Sequence, residues 1–324
     1  MRKIIITAFI VTFLAGCSKE RTLSAPETLA IGFDRGFVEN ATKAASDLVQ
    51  ENLNDFGVYG SIENHSGLGM LFNNVKISRS LAGTYTYSPA QYWVGGATYN
   101  FTAFAPYTNH HWSFATTDAK NGTITFDNEA AAGEQDFLYA AASRTTEENL
   151  NSKPDDVSFS FGHMLSRVKF TFTNGFAVGS NIALKVTDVK ITNAHKSGTL
   201  TVSHGMDADN WTVQDNKISG NGFTRVFGNA GNERLIETGS GTTEHYYLIP
   251  ATANYNIEFN VEIFQAGISV DNYFHSINVD LDLKKGCSYN IKGVLNQDNT
   301  SDDGVLHPIE FTVSAVEGWA QSTI

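Results

Sequence analysis

Cysteine is nearly absent from this chain of 324 residues, which has only Cys17 and Cys287. A disulfide framework is therefore excluded as the main source of stability, and Cys287 is expected to be a small buried apolar residue. Positive charge is also scarce, since 22 Lys and Arg stand against 34 Asp and Glu and give a formal net charge of −12. This balance argues against nucleic acid as a partner and against broad docking on anionic lipid.

Sequence motifs of enzymes are missing as well. The chain has no Gly-x-Ser-x-Gly turn, no His-Glu-x-x-His zinc motif and no phosphate-binding glycine-rich loop. His110 and His111 would point to opposite faces of a strand, which disfavours joint metal binding, and His163 is expected to be a turn or core histidine. We therefore predict that the chain is not an enzyme and has no catalytic residues, cofactor or metal site.

One stretch near the C-terminus has the spacing of a calcium loop. Asn299, Ser301 and Asp303 are followed by Gly304 and then by Glu310. The first position is Asn instead of Asp, and Glu310 falls inside an alternating strand instead of opening a helix. A solvated acidic loop between two strands is the favoured interpretation, and calcium binding by residues 299–310 is left open.

The N-terminus has the pattern of a secretory signal. Arg2 and Lys3 precede an apolar run that ends at Leu14-Ala15-Gly16-Cys17. The run is shorter than the roughly 20 residues that a membrane-spanning helix needs, and it ends in small residues as a signal peptide does. A small residue directly before a cysteine resembles the lipobox of bacterial lipoproteins, in which the thiol is acylated. Residues 1–17 are therefore predicted to be a lipoprotein signal peptide with Cys17 as the lipidation site.

Apolar and polar residues alternate with period two along most of the chain, and helical periodicity is nearly absent. Such alternation places apolar side chains on one face, as a half-buried antiparallel strand requires. Clusters of Gly, Asn, Asp and Ser separate the runs, a spacing typical of β-sandwiches. The clearest runs are 157–161, 168–172, 257–263, 277–283 and 309–313. We predict an all-β fold.

A polar stretch from Arg144 to Asp156 separates two β-rich regions. It consists largely of Thr, Glu, Asn, Ser, Lys, Pro and Asp, a composition typical of a domain boundary. We therefore predict an N-terminal β-sandwich domain over residues 46–155 and a C-terminal β-sandwich domain over residues 156–324.

Several motifs, taken in order after the lipobox, resemble the fimbrillin-like family of type V pilins from Gram-negative anaerobes. Tyr92-Trp93 together with residues 99–106 resembles the N-terminal signature of that family. Residues 159–170 resemble the strand-turn-strand that opens its second domain. Residues 283–291 are similar to its late hairpin and residues 309–319 to its final strand. The resemblance spans nearly the whole chain after the signal peptide.

This resemblance implies two tandem transthyretin-like or Ig-like antiparallel β-sandwich domains and assembly into fimbriae. Such pilins are exported as lipoproteins and cut by an Arg-specific protease, which removes the first strand and uncovers an apolar groove. A strand from the C-terminus of a neighbouring subunit fills the groove, and the head-to-tail contact builds a fibre. Carried over to this sequence, residues 18–45 hold the tether and the removable strand (Leu29, Ile31, Phe33), and the donor strand holds Ile309, Phe311 and Val313.

The cleavage site departs from the family pattern. The family often has Thr-Arg-Ala after the first strand, where this chain has Thr42-Lys43-Ala44. A protease that is specific for arginine would not cleave after Lys43. It could cleave after Arg35, which lies closer to the strand. Arg35 and Lys43 are therefore the two candidates for cleavage. The absence of any cut would suit an anchor subunit that keeps its lipid, so the roles of stalk, tip and anchor all stay open.

We predict a lipoprotein of the outer membrane and cell surface whose partners are other fimbrial subunits, in a polymer of one subunit type or of several. The outer membrane is a partner through the lipid before trimming, and adhesion would bring a further surface ligand. The alternative is a non-polymerising outer-membrane lipoprotein that binds glycans. In that case Trp93 and Trp112 would be exposed and would stack on sugars, although aromatic residues in a β-sandwich more often belong to the core.

Overall fold

The computed structural model describes residues 29–34, 37–38, 48, 52–204, 211–213, 222–231, 235–300, 309–313 and 317–318. Within these residues the regular secondary structure is mainly β-strand, with a short 3-10 helix at Gln297–Asn299. No helix in the described part of the chain is long and apolar enough to cross a membrane. The all-β prediction is confirmed.

The strands of the N-terminal half are β1 Phe37–Val38, β2 Asp55–Asn64, β3 Gly67–Arg79, β4 Tyr85–Thr86, β5 Thr98–Ala105, β6 Trp112–Thr116, β7 Asn121–Asp127 and β8 Leu138–Thr145. Those that follow are β9 Ser160–His163, β10 Ser166–Asn174, β11 Ile182–Ala194, β12 Ser197–Ser203, β13 Thr212–Val213, β14 Phe223–Ala230 and β15 Ser240–Thr242. The last are β16 Tyr246–Leu248, β17 Thr252–Gln265, β18 Ile268–Asp282, β19 Cys287–Leu295, β20 Thr312–Val313 and β21 Glu317–Gly318.

These strands pair into four sheets within the described residues. A seven-stranded sheet has the order β1-β9-β8-β5-β2-β3-β4, and a six-stranded sheet has the order β15-β10-β19-β20, with β16 on β10 and β21 on β19. Two four-stranded sheets have the orders β14-β11-β17-β18 and β13-β12-β7-β6. The neighbours are antiparallel except for β1 with β9 and β10 with β19, which are parallel. β10 and β19 lie far apart in sequence, which leaves room for the crossover that parallel pairing needs.

Strand β17 shows how alternation in the sequence becomes burial in the fold. Its apolar residues Tyr255, Ile257, Phe259, Val261 and Ile263 are buried, and the polar residues between them are half-buried on the opposite face. Full burial of a large apolar side chain stabilises a fold by roughly 1.5–3 kcal/mol, so this one strand contributes substantially to the core. The strand predicted over residues 257–263 is confirmed.

Three apolar cores hold the sheets together. One lies between the six-stranded sheet and the sheet that contains β11 and β17. The seven-stranded sheet has a core on each of its faces, because successive side chains of a strand point to opposite sides. Phe101 of β5 belongs to the core that also contains Ile31 and Phe33, whereas Phe104 belongs to the core shared with β7 and β12.

Strand pairing crosses the boundary that composition indicates between residues 155 and 156. β9 lies after this boundary and pairs with β8, and β12 pairs over its whole length with β7. Consecutive strands neighbour each other in most sheets, but pairing between strands distant in sequence, as for β7 with β12, is also common. The domain limits 46–155 and 156–324 stay a prediction.

Candidate functional site

Residues 29–34 run between two other segments of the chain, which form the walls of a groove. The first wall is residues 91–93. The Ile31 N–H donates to the Gln91 carbonyl at 2.8 Å, and the Trp93 N–H donates to the Leu29 carbonyl at 2.9 Å. The Tyr87 hydroxyl donates to the Ile31 carbonyl at 2.8 Å. An antiparallel bridge at Ala30 and Tyr92 places the segment in β-pairing with this wall.

The second wall is residues 155–157. The Val157 N–H donates to the Gly32 carbonyl at 2.8 Å, and the Asp34 N–H donates to the Val157 carbonyl at 2.9 Å. This pairing is parallel, with Phe33 opposite Val157. We call the space between the two walls the first-strand groove. Among the described residues, two isolated bridges and no longer ladder pair residues 29–34 with these walls, so the departure of this segment breaks few backbone hydrogen bonds there.

The side chains of this segment enter the N-terminal core. Ile31 is 1% exposed and Phe33 is 4% exposed, whereas Leu29 is half-buried. The Phe33 ring lies 5.4 to 6.4 Å, centroid to centroid, from the rings of Phe56, Phe72, Tyr87, Phe101 and Phe159. Loss of the segment would therefore open an aromatic pocket in the groove. The proteolytic removal of these residues stays a prediction.

Arg144 connects the two walls of the groove. Its guanidinium carbon lies 5.5 Å from the centre of the Trp93 ring, and its Nη1 donates to the Asp155 carbonyl at 2.7 Å. Composition indicates a domain boundary from Arg144 to Asp156, yet this stretch provides one wall of the groove. Nothing in the local sequence points to this role, because both contacts depend on residues that only the fold brings close to Arg144.

The predicted donor strand folds onto its own molecule. Ile309 is buried, Phe311 is half-buried and Val313 is 42% exposed. Two residue pairs join β20 to β19, and two more join β21 to β19, all antiparallel. The rings nearest Phe311 are Phe170, Phe172 and Phe259, at centroid distances of 6.4, 6.2 and 6.2 Å. The donation of this segment to a neighbouring subunit stays a prediction.

Gly293 in β19 leaves the space that this C-terminal segment fills. A Cβ at residue 293 would lie 3.1 Å from Phe311 Cε1 and 3.2 Å from Ile309 Cγ2. We expect Gly293→Leu to displace residues 309–313, because the new side chain needs the volume of both apolar groups. Limited proteolysis followed by mass spectrometry should then show faster cleavage within residues 309–318.

The matched control for this variant is Gly162→Leu. Gly162 also lies in a strand, but a Cβ there would meet no atom within 4 Å. We expect its C-terminal cleavage rate to equal that of the unchanged protein. Equal rates for both leucine variants would contradict the packing of Ile309 and Phe311 over Gly293.

Trp93 and Trp112 are not the exposed aromatic residues that glycan binding would need. Trp93 is 3% exposed and Trp112 is 4% exposed. Trp93 packs edge-on to Tyr99 at 4.7 Å, and Trp112 Nε1 donates to the Pro106 carbonyl at 2.9 Å. Both indole rings are packed in the core, each against an aromatic residue of the seven-stranded sheet. Both are core residues, as aromatic residues of a β-sandwich more often are, and the glycan-binding alternative loses its candidate residues.

His163, His110 and Cys287 contact neighbouring residues within the fold. His163 is buried with its Nδ1 3.0 Å from an Asp136 carboxylate oxygen, which confirms a core histidine. The His110 ring lies 4.4 Å from that of Trp112. Cys287 is half-buried instead of fully buried, and this burial raises the pKa of its thiol. Across the described ranges, no three His, Cys, Asp or Glu side chains are grouped so as to hold a metal ion.

The side chain of Asn299, the first residue of the calcium-like spacing, is used within the fold. Its Nδ2 donates to the Val294 carbonyl and its Oδ1 accepts from the Asn296 N–H, both at 3.0 Å. The bond from the Asn296 N–H is part of the capping box of the 3-10 helix at Gln297–Asn299. Ser301 and Asp303 lie outside the described residues, so calcium binding by residues 299–310 stays open.

Cys17, Arg35 and Lys43 also lie outside the described residues. For the first of them a family comparison supplies the evidence. Residues 1–18 match the model of the prokaryotic membrane lipoprotein lipid attachment site, and this match includes Cys17. The chain therefore carries a lipoprotein attachment site at its N-terminus.

Solved structures share the fold of this chain. A fimbrial protein from Bacteroides vulgatus has 17% sequence identity and a TM-score of 0.59, and the match covers 90% of this chain and 100% of that one. A candidate cell adhesion protein from Bacteroides uniformis has 18% identity and a TM-score of 0.52, with coverage of 90% and 98%. One from Bacteroides ovatus has 14% identity and a TM-score of 0.52, with coverage of 91% and 98%.

No curated protein matches the chain. At identities this low, the likeness to the solved structures shows the fold alone. The family model supplies the stronger evidence, because it is matched along most of the chain, from residue 42 to residue 319. The motifs, the β-fold and this match lead to one conclusion: the chain belongs to the fimbrillin-like family.

Proposed function

We propose that this chain is a structural subunit of cell-surface fimbriae that polymerises by donor-strand exchange and supports adhesion. It is exported as a lipoprotein with lipid on Cys17 and is held at the outer membrane before trimming. Cleavage after Arg35 or Lys43 releases residues 29–34 from the first-strand groove. The function is assembly, as in other fimbrial proteins, and requires no catalytic residue.

The observation that carries this proposal is the way residues 29–34 fill the groove. Their backbone pairs with both walls, and Ile31 and Phe33 lie in the core. If the segment leaves, the N–H and C=O groups of both walls that pair with it lose these partners and form an open edge. The aromatic pocket around Phe33 also meets water. An emptied groove of this kind favours a substitute strand.

The C-terminal segment has the features of such a substitute. Ile309 and Phe311 have the same spacing as Ile31 and Phe33, with one residue between the two apolar side chains. In the part of the segment that the structure describes, the backbone pairs with β19 at two positions of β20 and two of β21, and Ile309 and Phe311 pack against the core. Release of the segment exchanges these contacts for those of the groove. Donor and groove are different surfaces of the subunit, and a contact between unlike surfaces that does not close builds a fibre.

This proposal is tested with the mature chain, cut only after it has folded. A specific protease site inserted after Arg35 allows the cut at a chosen time. We expect the cut protein to form oligomers that grow with concentration, measured by analytical ultracentrifugation. The uncut protein should stay monomeric, and the cut protein without residues 309–324 should too. A cut protein that stays monomeric at high concentration would show that strand exchange is wrong.

A further inference from the structure

Part of the C-terminal half, the chain from residue 156 onward, completes a sheet of the N-terminal half. β12 pairs with β7 over seven residue pairs, and β13 pairs with β12 on the side away from β7. Leu200 and Val202 of β12 are buried in the same core as apolar residues of β7. We call residues 197–203 and 211–213 the arm. Without the arm, β7 would be an open edge of this sheet, and the core beneath it would meet water on that side.

The core beneath this sheet takes side chains from both halves. Phe104 and Phe137 come from the N-terminal half, whereas Trp211 and Tyr247 come from the C-terminal half, and all four are buried. The Trp211 ring lies 6.4 Å, centroid to centroid, from that of Phe137, and its Nε1 donates to the Met164 carbonyl at 2.9 Å. Because this core is continuous, neither half can bury its own share of the apolar surface without the other.

A loop of the N-terminal half bonds in turn to the C-terminal half. Residues 128–134, which we call the clasp loop, lie between β7 and β8. The Asn128 N–H donates to the Lys196 carbonyl at 2.7 Å, and the Tyr247 N–H donates to the Gly133 carbonyl at 2.7 Å. These two bonds hold both ends of the clasp loop against the C-terminal half.

The guanidinium of Arg225, a residue of β14, lies at the clasp loop. The side chain of Arg225 is buried, and its guanidinium carbon lies 3.5 Å from the centre of the Tyr246 ring. Its Nη1 donates to the Ala132 carbonyl, and its Nη2 lies 3.7 Å from Glu134 Oε1. A buried charge is costly unless it is paired or hydrogen-bonded. The C-terminal half therefore relies on a loop of the N-terminal half to satisfy a charge of its own.

We propose that the arm and the clasp loop join the two halves into one cooperative unit, so that neither half is stable without the other. Separation of the halves would open the shared core, break the pairing of β7 with β12 and remove the polar partners of Arg225. Domains have cores of their own, whereas elements that share a core unfold together in one transition. Loss of packing in the core of the C-terminal half should therefore lower the stability of the N-terminal half too. This inference concerns the single subunit and goes beyond the proposed function.

Native-state hydrogen exchange of the uncut mature chain tests this coupling. Phe259 of β17 is fully buried in a core that contains no residue of the N-terminal strands β1 to β8. In Phe259→Ala we expect the protection of the slowest amides to fall by at least about a hundredfold in β17, and by the same factor in β5. Mass spectrometry of peptic fragments measures the two strands separately.

A milder variant and a control accompany this change. Ile257→Val, in the same core, should lower protection in both strands by about two- to tenfold, and it replaces Phe259→Ala if that variant does not fold. Phe274→Ala, which alters an exposed residue of β18, should leave both strands unchanged. A fall confined to β17 in either core variant would show that the halves are stable independently and would overturn the inference.

The clasp loop itself is tested at Gly133. A Cβ at residue 133 would lie 2.8 Å from Arg225 Cδ and 3.1 Å from the Tyr247 carbonyl oxygen. Gly133→Leu should therefore push the loop away from the C-terminal half. Gly83→Leu is the matched control, because Gly83 also has a positive φ but a Cβ there would meet no atom within 4 Å. We expect Gly133→Leu to lower protection in β5 and in β17 at least about tenfold more than Gly83→Leu does.

The outcomes separate this inference from strand exchange. Equal effects of the two leucine variants would overturn the role of the clasp loop, and so would an effect of Gly133→Leu on one strand alone. Matched losses in β5 and β17, larger for Gly133→Leu than for its control, support the inference. Because every protein here is uncut and measured as a single subunit, none of these results decides whether the subunits polymerise.

Discussion

Replacement of Phe33 by alanine is expected to lower the free energy of unfolding by about 3–5 kcal/mol, the usual range for a buried phenylalanine. Five aromatic rings surround Phe33, and a cavity would remain where its own ring had been. Denaturant unfolding of the uncut chain, followed by tryptophan fluorescence, measures this effect. Trp93 lies on the first wall of the groove and reports on the region concerned.

Phe274→Ala is the matched control for this change. Phe274 is 56% exposed on β18, and surface substitutions of this kind usually alter stability by no more than about 0.5 kcal/mol. If Phe33→Ala costs no more than this control, residues 29–34 are not bound in the groove in solution. If the cost is large, the same variant should also release its first strand sooner after cleavage, because Phe33 provides much of the apolar contact that holds it.

Replacement of Asp136 by alanine is the second change with a large expected effect. The carboxylate is buried, accepts from the Leu48 N–H at 3.0 Å and from the Phe137 N–H at 2.8 Å, and lies 3.0 Å from His163 Nδ1. Its loss removes the acceptor of these three groups. Each buried donor that loses its acceptor costs about 1–3 kcal/mol, and the same denaturant unfolding measures the combined effect.

The hydrogen bond between Asp136 and Leu48 also affects the protein after cleavage. Leu48 follows both candidate cleavage sites in the sequence, so its bond to Asp136 is retained whichever cut is made. We expect Asp136→Ala to expose the new N-terminus to aminopeptidase after the cut. Asp271→Ala, which removes an exposed carboxylate on β18, should leave both stability and trimming unchanged. Equal stability of the two variants would contradict the bonding described for Asp136.

The features that could be predicted from the sequence are those that neighbouring residues encode. Alternation with period two over residues 257–263 predicts a strand with one buried face, and the structure confirms it. The spacing of Ile31 and Phe33 also predicts a strand; the structure places both side chains in the core, but residues 29–34 pair through two isolated bridges and form no continuous strand. The lipobox at Cys17 is likewise local, because a few consecutive residues make up the whole motif.

The tertiary structure alone decided which distant segments meet. Composition predicts a boundary over residues 144–156, yet Arg144 and Asp156 both lie at the first-strand groove, one joining its walls and the other covering Gly32. From the sequence, Trp93 and Trp112 can be either ligand-binding or core residues, and the fold makes both of them core residues. Alternation with period two predicts that one face of a strand is buried. Strand pairing between distant parts of the chain determines what that face contacts. Burial, charge pairing and access to a partner all follow from those contacts, so none of them can be read from one segment at a time.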